Sequence, residues 1–250
     1  MKVIEIENLN FSYFGSDRTL KDVNLTFHEG LYSICGPNGA GKTTLLKIIS
    51  KILDNYEGSV KIYGKDIKDI RIKDIPKILS FIVPNISTPF DFKVIDILLM
   101  GRISYLDFFA SYSKADLDIV LKVAKKTGIE GILNRNFLEL SSGEKELVLL
   151  SQSFIQDCPV ILMDEPFLHL DLKHKLSLIK ILKEYISDKN GTGVVVLHDL
   201  RIAFSYCDDI IFMKDGRVVE KINATTIKNK IDLISEIYEV SKEEVRKFLY

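Results

Sequence analysis

Neither sign of charge is in excess: 34 Lys and Arg stand against 35 Asp and Glu in 250 residues. Without a basic surplus, nucleic acid is not the default partner and none is expected. Cysteine is scarce. Cys35, Cys158 and Cys207 are odd in number, widely spaced and form no C-x-x-C. That usage points to a reducing compartment and away from a metal cluster. No run of eighteen or more apolar residues occurs, so no membrane-spanning helix is expected. The richest stretch, "VVVLHDLRIAFSYCDDIIFM", is interrupted by charges. The first residues, "MKVIEIENLNF", alternate apolar and charged, as a strand does and a signal peptide does not. Internal repeats, low-complexity tracts and obvious linkers are also missing, and a soluble intracellular protein is the expectation.

What is present is a core: 46% of the residues are hydrophobic, enough to fold one large domain and to argue against disorder. Leu9, Phe11 and Tyr13 alternate, as do Val23, Leu25 and Phe27, and together they read as a small sheet. "LYSIC" (31–35), "SVKIYG" (59–64), "LSFIV" (79–83), "VILMD" (160–164) and "GVVVLH" (193–198) are strand candidates. Helical spacing follows the first of these at Leu45, Leu46, Ile49, Ile52 and Leu53. It returns from Ser113 to Gly128, with Leu117, Val120, Leu121 and Ala124 on one face, and around Leu176, Ile179 and Leu182. Asp215-Gly216 between two apolar runs marks a hairpin. Ser241 and Glu244 make a capping box for a final helix. Strands alternating with helices predict an α/β fold with a β lobe in front and a helical insertion in the middle.

One stretch carries the strongest chemical signal. "GPNGAGKT" (36–43) fits G-x-x-x-x-G-K-[ST] between a strand and a helix. Along the loop of Gly36, Pro37, Asn38, Gly39, Ala40, Gly41, Lys42, Thr43 and Thr44, the backbone N–H groups, which Pro37 lacks, form the wrap around phosphate oxygens. Gly36, Gly39 and Gly41 lack a Cβ that would block approach. Lys42 supplies a charge toward the β- and γ-phosphates, and Thr43 a hydroxyl for Mg²⁺. "VILMDEP" (160–166) ends a buried strand in two carboxylates. Asp164 is placed to hold Mg²⁺ through water, and Glu165 to polarise an attacking water. His198, at the end of another strand of the sheet, is a γ-phosphate contact.

"LELSSGEKELVLL" (138–150) poses a question. Ser141 and Glu144 fit a capping box, with Leu147, Leu150 and Phe154 behind them at helical spacing. The same hydroxyls and Gly143 at a helix N-terminus also make a seat for an anion. A last motif, "NKID" (229–232), fits the guanine-reading N-K-x-D pattern but follows no buried apolar strand, and no D-x-x-G switch accompanies it. It is read as accidental.

In this order and at this spacing, the motifs resemble the ATP-binding subunit of ABC transporters over nearly the whole chain. "GPNGAGKT" matches the Walker A loop, "LSSGE" the signature, "VILMDEP" the Walker B strand, "HLDL" with Asp171 the D-loop, and "LHD" the switch histidine. Tyr13 stands where the family places an aromatic residue on adenine. The resemblance implies a P-loop NTPase (RecA-like) core with an N-terminal antiparallel β lobe and an inserted α-helical subdomain, all in one domain over 1–250. Its expected divisions are a β lobe at about 1–30 and 57–75, a helical subdomain at about 86–156, a core at 157–220 and a helical tail at 221–250. Two positions depart from the family. Asn85 stands where a glutamine usually reaches Mg²⁺, and Ser142 replaces a glycine, which is costly if that position needs positive φ.

The resemblance further implies ATP and Mg²⁺ as ligands and a head-to-tail dimer. There, Ser141, Ser142, Gly143 and Glu144 of one subunit complete the γ-phosphate site of the other. A separate multi-span permease would be driven from the inner face of the membrane, with a solute-binding protein as an indirect partner. "LLMGRISYLDFFASYSKADLDIVLKVAKKTGIE", "FLHLDLKHK" and "HDLRIAFSYCDDIIFMKDGRVV" resemble importers of iron chelates and cobalamin. The competing readings are a soluble ABC ATPase serving as an assembly or regulatory scaffold, and an ABC ATPase for another solute.

Overall fold

The structure, a computed structural model, describes residues 1–14, 18–83, 91–106 and 110–249. Strand β1 (Lys2–Phe11) pairs antiparallel with β2 (Leu20–His28). The chain then enters a second sheet through β3 (Gly30–Cys35), which leads into helix α1 (Lys42–Ile49). It returns to the first sheet as β4 (Glu57–Ile62) and the short β5 (Lys65–Asp66), giving the order β2-β1-β4-β5. In β1 and β2 the buried residues alternate: Ile4, Ile6, Leu9 and Phe11 face Val23, Leu25 and Phe27 in one core. That period of two is what the opening residues predict for a sheet with one covered face.

The second sheet contains β6 (Leu79–Ile82), β7 (Val160–Asp164), β8 (Thr192–Val196), β9 (Asp209–Lys214) and β10 (Arg217–Asn223) beside β3. Its order is β10-β9-β3-β8-β7-β6, parallel throughout except for the β9–β10 hairpin. Both faces are covered, so the strands read as unbroken apolar runs. Alternate residues nonetheless enter different cores. Ile161, Met163, Val195, Ile210 and Phe212 belong to one. Val160, Leu162, Val194, Ile211 and Met213 belong to the other, with α1 and the first sheet. The Asp215-Gly216 turn has φ of 50° and 79°, the double positive φ that a tight two-residue hairpin requires.

Helices α2 (Val94–Met100), α3 (Lys114–Thr127) and α4 (Ser142–Ile155) lie between β6 and β7 and pack on the first of these cores. Helix α3 starts and stops as its sequence directs. Ser113 Oγ accepts from the Asp116 N–H, the Asp116 carboxylate accepts back from Ser113, and Gly128 closes the helix at φ 78°. The expected apolar face is only half used, because Val120 and Ala124 are buried whereas Leu117 and Leu121 are exposed. Inside, Arg102 Nε donates to Asp116 at 3.0 Å and its Nη1 to the Ile155 carbonyl at 3.2 Å, pinning α3 to the end of α4.

After β7 come α5 (Leu172–Lys189), α6 (Leu200–Tyr206), α7 (Ile231–Tyr238) and α8 (Lys242–Leu249). Ser241 and Glu244 cap α8 reciprocally, as their spacing predicts. "NKID" lies at the approach to α7 and ends no strand, which agrees with its rejection as a guanine reader. Among the described residues, no helix is long and apolar enough to cross a membrane.

Candidate nucleotide site

The site sits at the carboxyl ends of three neighbouring parallel strands, β3, β8 and β7. That is where ligands bind in open α/β sheets. The phosphate loop leaves β3 and enters α1 with Gly41 as the N-cap at φ 93°. A Cβ on Gly41 would stand 2.7 Å from Leu20 Cδ2, so both conformation and space demand glycine there. Gly36 is needed for a different reason from the expected one. A Cβ there would lie 2.0 Å from the Met213 carbonyl oxygen, so it makes room for β9 and not for a phosphate. A Cβ on Gly39 would meet nothing within 4 Å, so open space lies on that side of the loop, which suits a cradle.

Lys42 is buried, and its Nζ donates to the Gly36 and Pro37 carbonyls at 2.8 Å each. Burial pushes its pKa down, against the pull of Glu165, Cys35 and Asp164. Asp164 ends β7 and is 4% exposed. Burial raises its pKa, and the Thr43 hydroxyl facing it works the other way. Its Oδ1 has no hydrogen-bond partner among the described residues. A buried, unpartnered carboxylate oxygen beside a hydroxyl is a hard-oxygen donor set of the kind Mg²⁺ takes.

Glu165 follows with φ at 50°, a conformation uncommon for a residue with a side chain. It turns the carboxylate out of the strand and onto His198, whose Nε2 lies 2.6 Å from Glu165 Oε1. His198 does not end β8 as expected. The strand stops at Val196, and His198 lies in the turn before Asp199, the N-cap of α6. The apolar run reads on through Leu197 because that residue, though past the strand end, is buried too.

Asn38 through Thr44, Glu165 and His198 line one cleft of about 690 Å³. Thr19 and Leu168 also line it. Both escaped the sequence reading, since neither belongs to a motif with a chemical signature. Tyr13 reaches the loop from the first sheet, with its hydroxyl 3.4 Å from Thr44 Oγ1 and its ring edge-on to Phe11. Thr44 itself is buried.

The signature residues are elsewhere. Ser141 is the N-cap of α4: its Oγ accepts from the Glu144 N–H at 3.3 Å, and Glu144 Oε2 accepts from the Ser141 N–H at 2.8 Å. Glu144 Oε1 is taken by Arg135 at 2.7 Å. These bonds, first the Ser141 N–H, hold the Glu144 carboxyl below its usual range. Ser142 is the first helical residue of α4, so its backbone is right-handed and its Cβ carries no positive-φ cost. Asp171 caps α5, accepting from the His174 N–H at 2.8 Å. None of Ser141, Ser142, Gly143, Glu144 or Asp171 lines the cleft. Asn85 lies outside the described residues.

A phosphate loop, an acidic strand end and a histidine in the turn after β8, gathered at the ends of adjacent parallel strands, define a P-loop nucleotide-hydrolysing α/β protein. The comparisons narrow the class. The family model "ABC transporter" matches residues 20–168. An uncharacterized ABC transporter ATP-binding protein of Methanocaldococcus jannaschii is 31% identical over 95% of this chain and 82% of its own length. The iron(3+)-hydroxamate import ATP-binding protein of Bacillus subtilis is 27% identical over 98% and 91%. A dimeric ATP-binding cassette bound to ADP and Pi superposes with a TM-score of 0.78 at 26% identity, covering 88% of this chain and 98% of its own. The chain belongs to the ABC transporter family, and it is an ATPase of that family.

Proposed function

We propose that two copies of this chain form a head-to-tail dimer that hydrolyses ATP and powers a separate multi-span permease from the cytoplasmic face of the membrane. The observation that carries the reading is a division of labour. One cleft gathers Lys42, Thr43, Glu165 and His198, while the helix of Ser141–Glu144 stands apart from it with its N-terminus outward. Half a site on each of two surfaces fits completion in trans.

In this reading the loop amides from Gly36 to Thr44 and the Lys42 ammonium neutralise charge on the phosphates, and Tyr13 stacks on adenine. Glu165 takes a proton from the attacking water, and His198 orients Glu165 and steadies the γ-phosphate. Thr43 and Asp164 would hold Mg²⁺, with Asn85 as a further candidate, and the ion would add phosphate charge stabilisation. Catalysis is then positioning plus electrostatics, as phosphoryl transfer demands. The division into a β lobe (1–30, 57–75), helical subdomain (86–156), core (157–220) and tail (221–250) belongs to the same proposal. So do a solute-binding protein as indirect partner and an iron chelate, cobalamin or related metal chelate as solute. Similarity to an iron(3+)-hydroxamate import protein along almost the full chain supports the solute class.

Turnover by purified Glu165→Gln protein tests the assignment of the base. Loss by a factor of about 10²–10⁴ is expected, and near-normal hydrolysis would remove Glu165 from the mechanism. Purification from membranes should bring a permease with the chain.

A further inference from the structure

Leu168 is the one large apolar side chain lining the nucleotide cleft among the described residues, and it stands there with Glu165 and His198. The same three residues line a smaller neighbouring cavity of about 100 Å³, so together they form the partition between the two. The loop that carries Leu168 runs from the end of β7 to the start of α5. Phe167 before it and Leu170 after it are buried in the core on which α4 packs. Leu168 itself is 54% exposed, so the loop turns two apolar side chains inward and this one toward the cleft.

What holds this loop is the signature helix. Glu146 of α4 accepts the His169 N–H with both carboxylate oxygens, at 3.1 and 3.2 Å. That N–H belongs to the planar peptide joining Leu168 to His169, so the bonds fix the backbone directly after the Leu168 Cα. The next peptide is confined as well, because a Cβ on Gly143 would lie 3.3 Å from the His169 carbonyl oxygen. Both peptide groups of His169 therefore lie against α4, and its ring Nδ1 meets Glu146 Oε1 in addition. The Glu146 side chain is mostly buried, which shields these bonds from competing water.

We infer that Glu146 is a positioning residue for ATP hydrolysis: through the peptide after Leu168 it sets that side chain beside Glu165 and His198 in the cleft of its own chain. Glu146 does not line the cleft and acts only through the loop. An apolar partition keeps bulk water from Glu165, and in the drier setting the carboxylate acts more strongly on the water it activates. This role rests on Glu165 being the base. Ser141 and Glu146 then divide one helix between two sites, the first serving the partner's ATP and the second its own chain's.

The test is a double-mutant cycle on the purified protein, with kcat counted per site that binds a non-hydrolysable ATP analogue. That count removes any unfolded fraction, so a purely structural role predicts an unchanged kcat. Positioning predicts that Glu146→Ala lowers kcat about three- to tenfold with KM for ATP within about twofold, since a small displacement beside reacting groups costs rate. Glu146→Gln, which keeps an acceptor for the His169 N–H, should regain most of the loss. Leu168→Ala removes the partition, so in that background Glu146→Ala should cost less than about twofold. An unchanged kcat in Glu146→Ala, or an equal loss in both backgrounds, overturns the inference. Near-normal hydrolysis by Glu165→Gln would instead overturn the base assignment beneath it, a failure read apart from the cycle.

Discussion

Glu146, in the second turn of the signature helix α4, accepts the backbone N–H of His169 at 3.1 and 3.2 Å and meets the His169 ring Nδ1 at 2.5 Å. The side chain is 13% exposed, so the bonds work in a partly dry setting. A Cβ on Gly143 would lie 3.3 Å from the His169 carbonyl oxygen, so the helix and the loop before Asp171 are in direct contact as well. Removing the carboxylate leaves a loop N–H without its acceptor. Glu146→Ala should lose about 1–3 kcal/mol in urea unfolding, the range for a polar group left without its hydrogen-bond partner. Glu146→Gln, which keeps one acceptor oxygen, should lose less. Equal losses would mean that the charge and the amide bond are not what joins these elements.

Two glycines of the phosphate loop should respond very differently to alanine. Gly36→Ala forces a Cβ onto a backbone carbonyl at 2.0 Å, and neither strand can yield without breaking the sheet. We expect loss of ATP binding and destabilisation on the order of 3–4 kcal/mol, a magnitude reserved for severe steric or core damage. Gly39→Ala meets open space and pays only for φ of 80°, about 1–2 kcal/mol. Thermal melts of the two variants distinguish the cases.

Much of this was legible in the sequence, and the parts that were not share a cause. Phosphate loop, acidic strand end and capping boxes are written in contiguous residues whose spacing fixes their geometry. The cost of Ser142 stayed open in the sequence because the motif names a glycine and not the backbone conformation behind it: the first residue of a helix accepts a side chain. Leu117 and Leu121 misled because helical spacing gives a face but not the presence of a neighbour to cover it. Glu146 with His169 was invisible because the contact joins a helix and a loop that only the fold brings together.

Asp116 gives the helical insertion an acid-sensitive joint. Ser113, by its hydroxyl and N–H, and then Arg102 hold its pKa down from 3.8 to about 2. A carboxylate depressed on folding stabilises the native state above its unfolded pKa, and that contribution disappears as pH falls toward the folded value. The loss therefore belongs between about pH 4 and 2. Ser113→Ala should raise the Asp116 pKa and lower stability at pH 7. At pH 2, where wild type has also lost much of the contribution, the two should converge. Urea unfolding at both pH values checks the sign.

The proposed sharing of ATP between subunits is open to a mixed-dimer assay. Ser141→Arg in one subunit, paired with a subunit carrying wild-type Ser141, should disable the ATP held by the other chain's phosphate loop. Disabling the site formed by its own loop would sink the trans assignment.

Lys42 carries a last consequence. With its ammonium bonded to two carbonyls of its own loop, an arriving phosphate meets a cation already engaged and must outbid the Gly36 and Pro37 oxygens for it. Nucleotide affinity is then an exchange constant, the difference between two sets of charge-assisted hydrogen bonds. A change that weakens the carbonyls' hold on the lysine should tighten ATP without adding a contact to it. Lys42→Ala, by the same logic, strips the loop of an internal ligand as well as the nucleotide of a counter-charge.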